Sequence, residues 1–303
     1  MASITVSLLT FNHERYIEEC IDSVLRQRGD HDIELVWFDD CSTDSTVERG
    51  KARLKGADVN LKFISPKLNR FSRRIPTRMD RYEMFTGDYI CFLEGDDYWV
   101  SDTKLENQLA LLEQSGCDLC FSSAFVVDGA SNDLGETLAA HGQANTIFSP
   151  QQVVDGDGGF MPTCTLVLRK EVLDQAPNWY FGYMPVGDYP MQVLGGARAG
   201  AVFLAEKTAA YRKHAQQWSA EFERAPDVEK RVGFLMEFLE LLLRMSKCPT
   251  LHHLNFTNMF QNYFSQLMFG SPEAAFNREK QIASVYYSEF LELNQGMAAV
   301  ANG

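Results

Sequence analysis

The sequence predicts an α/β fold, in which helices flank a mostly parallel sheet and a helical extension follows at the C-terminus. Between residues 4 and 93, short apolar runs alternate with segments whose apolar residues recur at helical spacing. This alternation is typical of a parallel sheet with helical crossovers. After residue 219 only the helical spacing continues. We therefore expect a sheet-based domain followed by helices.

The first seven elements alternate strictly between strand and helix. Strands are predicted at 4–11, 33–38, 61–64 and 89–93, and helices at 16–25, 42–54 and 76–85. Ser42, Thr43 and Asp44 suit the N-cap of the second helix, and Gly87 suits the end of the third. Because ligands of such sheets bind at the carboxyl ends of the strands, we expect a site where these strands end.

The rest of the chain is predicted to combine strands, helices and one long loop. The predicted elements are a helix at 105–112 that ends near Gly116, a strand at 117–127, a loop at 131–159 with a short helix beginning at Ser149 and Pro150, a strand at 163–168, a helix at 188–197, and short strands at 201–204 and 208–211. Helices follow around 228–245, 254–269 and 274–293. Their apolar stripe is expected to be buried against the sheet-based domain or in a homodimer.

Composition excludes several classes of partner. The 303 residues include 28 Lys and Arg against 41 Asp and Glu, which gives a formal net charge of −13. This balance argues against binding to a nucleic-acid backbone and against electrostatic docking on anionic lipid. The N-terminus lacks the basic region of a signal peptide. The longest apolar run is interrupted by Glu237 and Glu240, so we expect a cytoplasmic protein without a transmembrane segment.

The seven cysteines are expected to be reduced, because their number is odd and no secretory signal precedes them. Cys117 and Cys120 have the spacing of a metal or redox pair, but no second pair follows. On a strand, a spacing of three directs two side chains to opposite faces. We therefore interpret both as core residues.

A cluster of acids directly follows the fourth predicted strand. Glu94, Asp96 and Asp97 come after the apolar run at 89–93. Carboxylates this close repel each other, and burial increases the cost, so a cation is the usual reason to keep them together. Carboxylate oxygens suit Mg²⁺ or Mn²⁺, which also bind phosphates. The alternative is an acidic turn next to a helix.

Six motifs resemble the family 2 glycosyltransferases of GT-A fold, in the order expected for that family. They are VSLLTFN at 6–12, FDDCSTD at 38–44, FLEGDDYW at 92–99, PTCTLVLR at 162–169, GDY at 187–189, and YRKH at 211–214 with Trp218 and Ser219. The resemblance covers roughly 3–220. It implies a glycosyltransferase domain at 1–220, with a nucleotide-binding half at 1–100 and an acceptor half at 101–220, and a helical region at 221–303.

The resemblance assigns nucleotide binding to three of these segments and to one further arginine. The implied residues are Thr10, Phe11, Asn12, Glu14, Asp39, Asp40, Arg78, Glu94, Gly95 and Asp96. Asp39 matches the acid that accepts a hydrogen bond from a uracil or thymine ring N–H, with Asp40 as the alternative. Arg78 lies near the family arginine that contacts the nucleotide. The competing interpretations are a helix cap for Asp39 and a solvated helix residue for Arg78.

The same resemblance implies a metal site and a general base. Asp96 is the main expected ligand of Mn²⁺ or Mg²⁺, with Asp97 as a second ligand or a supporting residue; His214 is a third candidate. Glu94 replaces the first aspartate of the family's Asp-x-Asp motif. Asp188 matches the acid that deprotonates the acceptor, although an aspartate before an apolar helix can also be a cap.

Further implied contacts involve the diphosphate or the acceptor. They fall on Arg212, His214, Trp218 and Ser219, with a purely structural role as the alternative for His214. Arg70, Arg73 and Arg74 form a basic patch that either binds a phosphate or lies in a solvated loop.

Taken as a family member, the chain is expected to be a metal-dependent, inverting hexosyltransferase. The donor would be a UDP-sugar, or alternatively a dTDP- or GDP-sugar, and the acceptor a polysaccharide or lipid-linked oligosaccharide. The enzyme would lie in the cytoplasm, alternatively at the inner face of the membrane. The rival hypotheses are a sugar nucleotidyltransferase, for which the basic glycine-rich loop is missing, and a non-catalytic nucleotide-sugar-binding protein.

Overall fold

The first half of the chain forms the parallel part of one sheet. The computed structural model describes residues 2–214, 228–270 and 276–301. Its first elements are β1 (Ala2–Thr10), α1 (Ile17–Leu25), β2 (His31–Asp39), α2 (Thr46–Leu54), β3 (Asn60–Ile64), α3 (Arg78–Tyr82) and β4 (Tyr89–Glu94). The strands lie in the order β3-β2-β1-β4, and all three pairings are parallel. The predicted βα alternation is confirmed in this half.

The sheet continues into a second half that mixes strand directions. Its elements are β5 (Tyr98–Trp99), α4 (Lys104–Ser115), β6 (Leu119–Val127), β7 (Asp133–Leu138), β8 (Thr146–Phe148), α5 (Pro150–Asp155), β9 (Val167–Arg169), α6 (Lys170–Asp174), α7 (Asp188–Gly196) and β10 (Ala201–Arg212). Strand β9 lies between β4 and β6 and is antiparallel to both, whereas β10 is parallel to β6. The sheet as a whole is therefore mixed.

Three predicted segments differ from the structure. The predicted strand at 163–168 begins as a 3₁₀ turn, Thr163–Thr165, because the Thr165 hydroxyl and amide bond back to the Pro162 carbonyl. The strands predicted at 201–204 and 208–211 are one strand, β10, with register shifts between Leu204 and Ala209. The predicted loop at 131–159 contains β7 and β8, whose mostly exposed residues give no apolar signal.

Cys117 and Cys120 are both buried, which confirms their interpretation as core residues. The expected placement on opposite faces is wrong, because both belong to the same apolar cluster. Strand β6 begins at Leu119, so Cys117 precedes the alternating part of the chain.

The C-terminal helices share a core with the second half of the sheet. They are α8 (Val228–Ser246), α9 (Thr257–Gly270) and α10 (Asn277–Ala301). The Phe238 ring of α8 stacks on Tyr263 of α9 at 4.1 Å between centroids and lies 5.6 Å from Tyr189 of α7. The apolar stripe of α8 is thus buried against the sheet-based part of the chain.

In the part of the chain that the structure describes, the helices are too short or too polar to cross a bilayer.

Candidate active site

Site residues predicted on three strands meet at one edge of the sheet. In the parallel register Thr10 lies beside Asp39, and Leu9 lies beside Glu94. The carboxyl ends of β1, β2 and β4 therefore form a continuous rim. This is the edge at which open α/β sheets bind their ligands.

Thr10 and Asp39 form the buried base of this rim. Both are 0% exposed. One carboxylate oxygen of Asp39 accepts bonds from the Thr10 and Ser42 hydroxyls at 2.7 and 2.6 Å, and the other accepts the Ser42 amide at 2.9 Å. Thr10 in turn accepts the indole N–H of Trp37 at 2.8 Å. Through these bonds both residues support the rim. A direct contact of either residue with a nucleotide base stays a prediction.

The turns that follow β1 and β2 are tied together. The Asn12 side chain, on a residue with a left-handed backbone (φ 56°), accepts the Thr43 amide at 2.8 Å. Glu14 accepts the Ser45 amide at 3.0 Å. Phe11 is 43% exposed at the edge of the rim. An exposed aromatic ring there is free to contact a planar ligand.

Asp40 fixes the segment that carries the basic patch. Its two carboxylate oxygens accept the backbone amides of Arg70 and Phe71 at 2.8 and 2.9 Å. Arg70 also forms an ion pair with Asp80 on α3. In the same patch Arg74 pairs with Glu237 of α8, whereas Arg73 is exposed.

Glu94 is the last residue of β4. Solvent reaches its side chain, yet protein surrounds it. Restricted solvation, followed by the negative charges of Asp96 and Asp188, raises the pKa of Glu94 to about 8. The charge of Asp188 acts on Glu94 although 94 residues separate them in sequence, so the two carboxylates lie near each other; we call the space between them the cleft. Gly95 leaves room here, because a Cβ at this position would lie 2.5 Å from Thr10.

Asp96 lies against two histidines. Its Oδ2 is 2.9 Å from Nε2 of His214 and 3.8 Å from Nε2 of His13. Burial raises the pKa of Asp96, but the hydrogen bond from His214 and the charges of both imidazoles outweigh it and lower the pKa. Its Oδ1 is buried without a hydrogen-bond partner in the structure. His13 was not predicted, although its place directly after β1 was a usable signal.

Asp97 is hydrogen-bonded to groups other than these histidines. Its Oδ1 accepts the Arg212 amide at 2.9 Å, and the Cys164 thiol bonds to the same carboxyl group. Burial and the charges of Asp96 and Glu94 raise the pKa of Asp97 well above its usual range. The described residues contain no group of three side chains with metal-binding geometry, and a role of Asp97 as a ligand beside Asp96 and His214 stays a prediction.

Asp96 by itself fits a divalent cation. An unpartnered, buried carboxylate oxygen is costly unless something pairs with it. A carboxylate oxygen beside an imidazole nitrogen is a donor set that Mn²⁺ accepts, and oxygen alone suits Mg²⁺. Asp96 with His214 is the part of the predicted ligand set that the structure brings together.

Arg212 binds the turn that carries Asp96 and Asp97, which we call the acid turn. Its side chain is 1% exposed. The Nε atom donates to the Asp96 carbonyl at 2.7 Å, Nη1 donates to the Ser131 hydroxyl at 2.8 Å, and Nη2 binds Glu19 at 2.6 Å. The predicted contact of Arg212 with a diphosphate would require these bonds to break. Trp218 and Ser219 lie outside the described residues.

Asp188 is the first residue of α7, and the pKa of its carboxyl group is raised. Burial raises the pKa of its carboxyl group, against the effects of the Tyr189 amide and of the nearby Arg78. A carboxylate with a raised pKa is a better proton acceptor near neutral pH. The structure therefore places a base candidate in the cleft that contains Glu94.

Arg81 is a second cleft residue that was not predicted. It lies one helical turn after Arg78 on α3, and Glu94, Arg78 and Tyr180 are among the charged or titratable groups that act on it. The Arg-x-x-Arg spacing on a helix was the available signal, because residues three apart share a face. The site therefore contains carboxylates that can bind a cation or accept a proton, and arginines that can bind an anion.

Comparisons with known proteins relate this chain to glycosyltransferases. A profile of glycosyl transferase family 2 matches residues 5–176. The chain is 26% identical over 242 residues to UDP-Glc:alpha-D-GlcNAc-diphosphoundecaprenol beta-1,3-glucosyltransferase WfaP of Escherichia coli, which covers 77% of this chain and 88% of the relative.

Solved structures of glycosyltransferases share the fold. The complex of S. aureus TarS 1–349 with UDP-GlcNAc superposes with a TM-score of 0.65 at 15% identity, over 96% of this chain and 81% of that one. The mannosyltransferase PcManGT from Pyrobaculum calidifontis with GDP-Man and Mn²⁺ gives 0.56 at 13% identity, over 99% and 80%. The architecture is therefore the GT-A fold that the motifs predicted. With more than half of its length matched by the family profile, the chain belongs to glycosyl transferase family 2.

Proposed function

We propose that this protein is a metal-dependent, inverting glycosyltransferase that transfers a hexose from a nucleotide sugar to a sugar hydroxyl. The observation that carries this proposal is that the charges of both Asp96 and Asp188 act on Glu94. The candidate cation ligand, Asp96, and the candidate base, Asp188, are thus neighbours of the same carboxylate. A UDP-sugar is the favoured donor, because WfaP uses UDP-Glc by its name and TarS binds UDP-GlcNAc.

Asp188 is proposed to accept the proton of the attacking hydroxyl. Its raised pKa favours proton uptake as the acceptor oxygen bonds to the anomeric carbon. No second carboxylate is assigned as a nucleophile in this proposal, so the displacement occurs in one step from the side opposite the leaving group. Such a displacement inverts the anomeric centre.

Asp96 and His214 are proposed to hold Mn²⁺ or Mg²⁺, in line with the Mn²⁺ in the PcManGT complex. When bound, the ion neutralises the negative charge that develops on the departing diphosphate. Arg212 keeps the Asp96 backbone in place for this role. Phe11, Asn12 and Glu14 lie at the rim, where a nucleotide base would be bound.

The acceptor is proposed to be a polysaccharide or a lipid-linked oligosaccharide. WfaP is named for a diphosphoundecaprenol-linked acceptor, and its alignment spans most of this chain. Such an acceptor would place the enzyme in the cytoplasm at the inner face of the membrane. The C-terminal helices share a core with α7, whose first residue is Asp188, and are proposed to support acceptor binding.

Replacement of the base tests the proposal. The purified protein is incubated with Mn²⁺ and UDP-glucose, UDP-galactose or UDP-GlcNAc, and the release of UDP by slow hydrolysis is measured. Asp188→Asn should reduce turnover by about 10²–10⁴-fold and leave the Kd for UDP within twofold. Asp58→Asn, which changes an exposed aspartate in the same way, should keep full turnover.

Three outcomes would contradict the proposal. Retained turnover in Asp188→Asn would remove this residue as the base. Release of pyrophosphate from a nucleoside triphosphate and a sugar phosphate would indicate nucleotidyl transfer. Tight donor binding without turnover in the wild type would indicate a non-catalytic nucleotide-sugar-binding protein.

A further inference from the structure

Two arginines of the cleft have no ion-pair partner among the described residues. Arg78 and Arg81 are partly buried, and within the described ranges neither has a carboxylate at ion-pair distance. The other described arginines that are not exposed, Arg70, Arg169 and Arg212, each pair with a carboxylate. A buried cation without an anion is unfavourable, so these two positions call for an anionic ligand.

The hydrogen bonds of both guanidinium groups go to neutral groups. Arg78 donates to the Gly182 carbonyl at 3.3 Å, and Arg81 donates to the Ser7 hydroxyl at 3.3 Å. The Nε atom of Arg81 is buried without an acceptor in the structure. Burial and the positive charge of Arg78 lower the pKa of Arg81 to about 10, which is the shift expected when an anion is missing.

The two arginines lie on the Asp188 side of the cleft. A Cβ at Gly187 would lie 2.1 Å from Nη2 of Arg78, so this guanidinium covers the residue before the base. Arg81 interacts electrostatically with Glu94. By contrast, Asp96 lies against His214 and His13, and neither arginine is among the groups that chiefly set its pKa.

This division separates a sugar side from a diphosphate side. In the proposed reaction the base lies next to the anomeric carbon, whereas the diphosphate lies next to the cation at Asp96. Groups around Asp188 therefore face the transferred sugar. On this placement the sugar carries the anion that neutralises Arg78 and Arg81, and this contact replaces the expected contact of Arg78 with the nucleotide.

Building on the proposed function, we propose that Arg81 and Arg78 bind a carboxylate of the transferred sugar, so that the donor is a nucleoside-diphosphate hexuronate. A carboxylate can accept parallel hydrogen bonds from guanidinium groups, and such charge-assisted bonds are stronger than those between neutral groups. The neutral hydroxymethyl group of a hexose leaves both charges unpaired. Arg81 is thus a residue that determines donor specificity.

Matched donor pairs test this without any substitution. UDP-glucose and UDP-glucuronate differ at C6 alone, as do UDP-galactose and UDP-galacturonate; GDP-mannose and GDP-mannuronate serve if GDP binds better than UDP. Titration calorimetry with Mn²⁺ should give a Kd at least about tenfold lower for the hexuronate of one pair. Equal or tighter binding of the neutral hexose in every pair would overturn the proposal.

Substitution then assigns the preference to a residue. Arg81→Met should abolish the preference and leave the Kd for UDP within twofold, whereas Arg81→Lys should retain part of it. Arg278→Met removes the same charge from an exposed position on α10 and should change neither value. If Arg81→Met does not fold, the Arg81→Lys variant and the ratio of the two wild-type Kd values within a donor pair still test the proposal.

The remaining outcomes are distinguishable. If Arg81→Met weakens binding of UDP as much as binding of the UDP-hexuronate, the anion is the diphosphate and the proposal is wrong. If the wild type binds neither UDP, dTDP nor GDP, the proposed function itself fails, and this inference fails with it.

Discussion

Replacement of Arg212 measures how strongly the acid turn is held in place. The side chain is almost fully buried at the end of β10. It donates to the Asp96 carbonyl, the Ser131 hydroxyl and the Glu19 carboxylate, and its guanidinium carbon lies 4.6 Å from the centre of the Tyr16 ring. Arg212→Met keeps much of the apolar volume and removes every side-chain donor, while the backbone amide that binds Asp97 remains.

The expected loss of stability follows from the acceptors that remain. The buried Asp96 carbonyl loses its donor, which costs about 1–3 kcal/mol, and the bond to Ser131 adds about 1 kcal/mol. Glu19 is 41% exposed, so water can solvate its carboxylate. Loss of the ion pair between Arg212 and Glu19 therefore contributes little. We expect Arg212→Met to lower the free energy of unfolding by about 3 kcal/mol. Arg212→Lys, which keeps the charge without the planar fork, should lose about 2 kcal/mol.

Urea unfolding followed by tryptophan fluorescence provides the measurement, because Trp37 and Trp99 are buried near the rim. Arg198→Met is the matched control: Arg198 is exposed and binds Asp118 at 2.6 and 2.7 Å. Its removal should cost about 0.5 kcal/mol. If Arg212→Met unfolds within about 1 kcal/mol of the wild type, the turn does not depend on Arg212 and our reasoning is refuted.

Two further predictions concern the cation and the sheet. Asp96→Asn should abolish the Mn²⁺ dependence of UDP binding in titration calorimetry, and an unchanged dependence would exclude Asp96 as a ligand. Burial raises the pKa of Glu34, but bonds from Lys62, Thr5 and Thr86 outweigh it and lower the pKa from 4.5 to about 2. Between pH 4.5 and about pH 2 the folded state therefore binds fewer protons than the unfolded state. The stabilisation that the Glu34 carboxylate provides is full above pH 4.5 and is lost as the pH falls towards 2. Glu34→Gln should cost about 2 kcal/mol at pH 7 in urea unfolding. Equal stability of variant and wild type at pH 7 would contradict this assignment.

The sequence was sufficient for the parallel half of the fold and for the position of the rim. The βαβ pattern fixes the strand directions, and Asp39 and Glu94 occupy the last positions of their strands. These features are local, since the period of a strand and the length of a crossover determine which residues reach the edge. Strands β7 and β8 were missed because their mostly exposed side chains leave no apolar alternation.

Only the tertiary structure decided which polar groups are available to a ligand. Asp39 and Asp97 direct their oxygens to internal donors, whereas one oxygen of Asp96 stays unpartnered. Arg212 binds Glu19, which lies 193 positions away along the chain, and Arg81 reaches the cleft through the packing of α3. Hydrogen-bond partners are chosen by the folding together of distant segments, so spacing along the chain predicts where an acid lies but not what it binds.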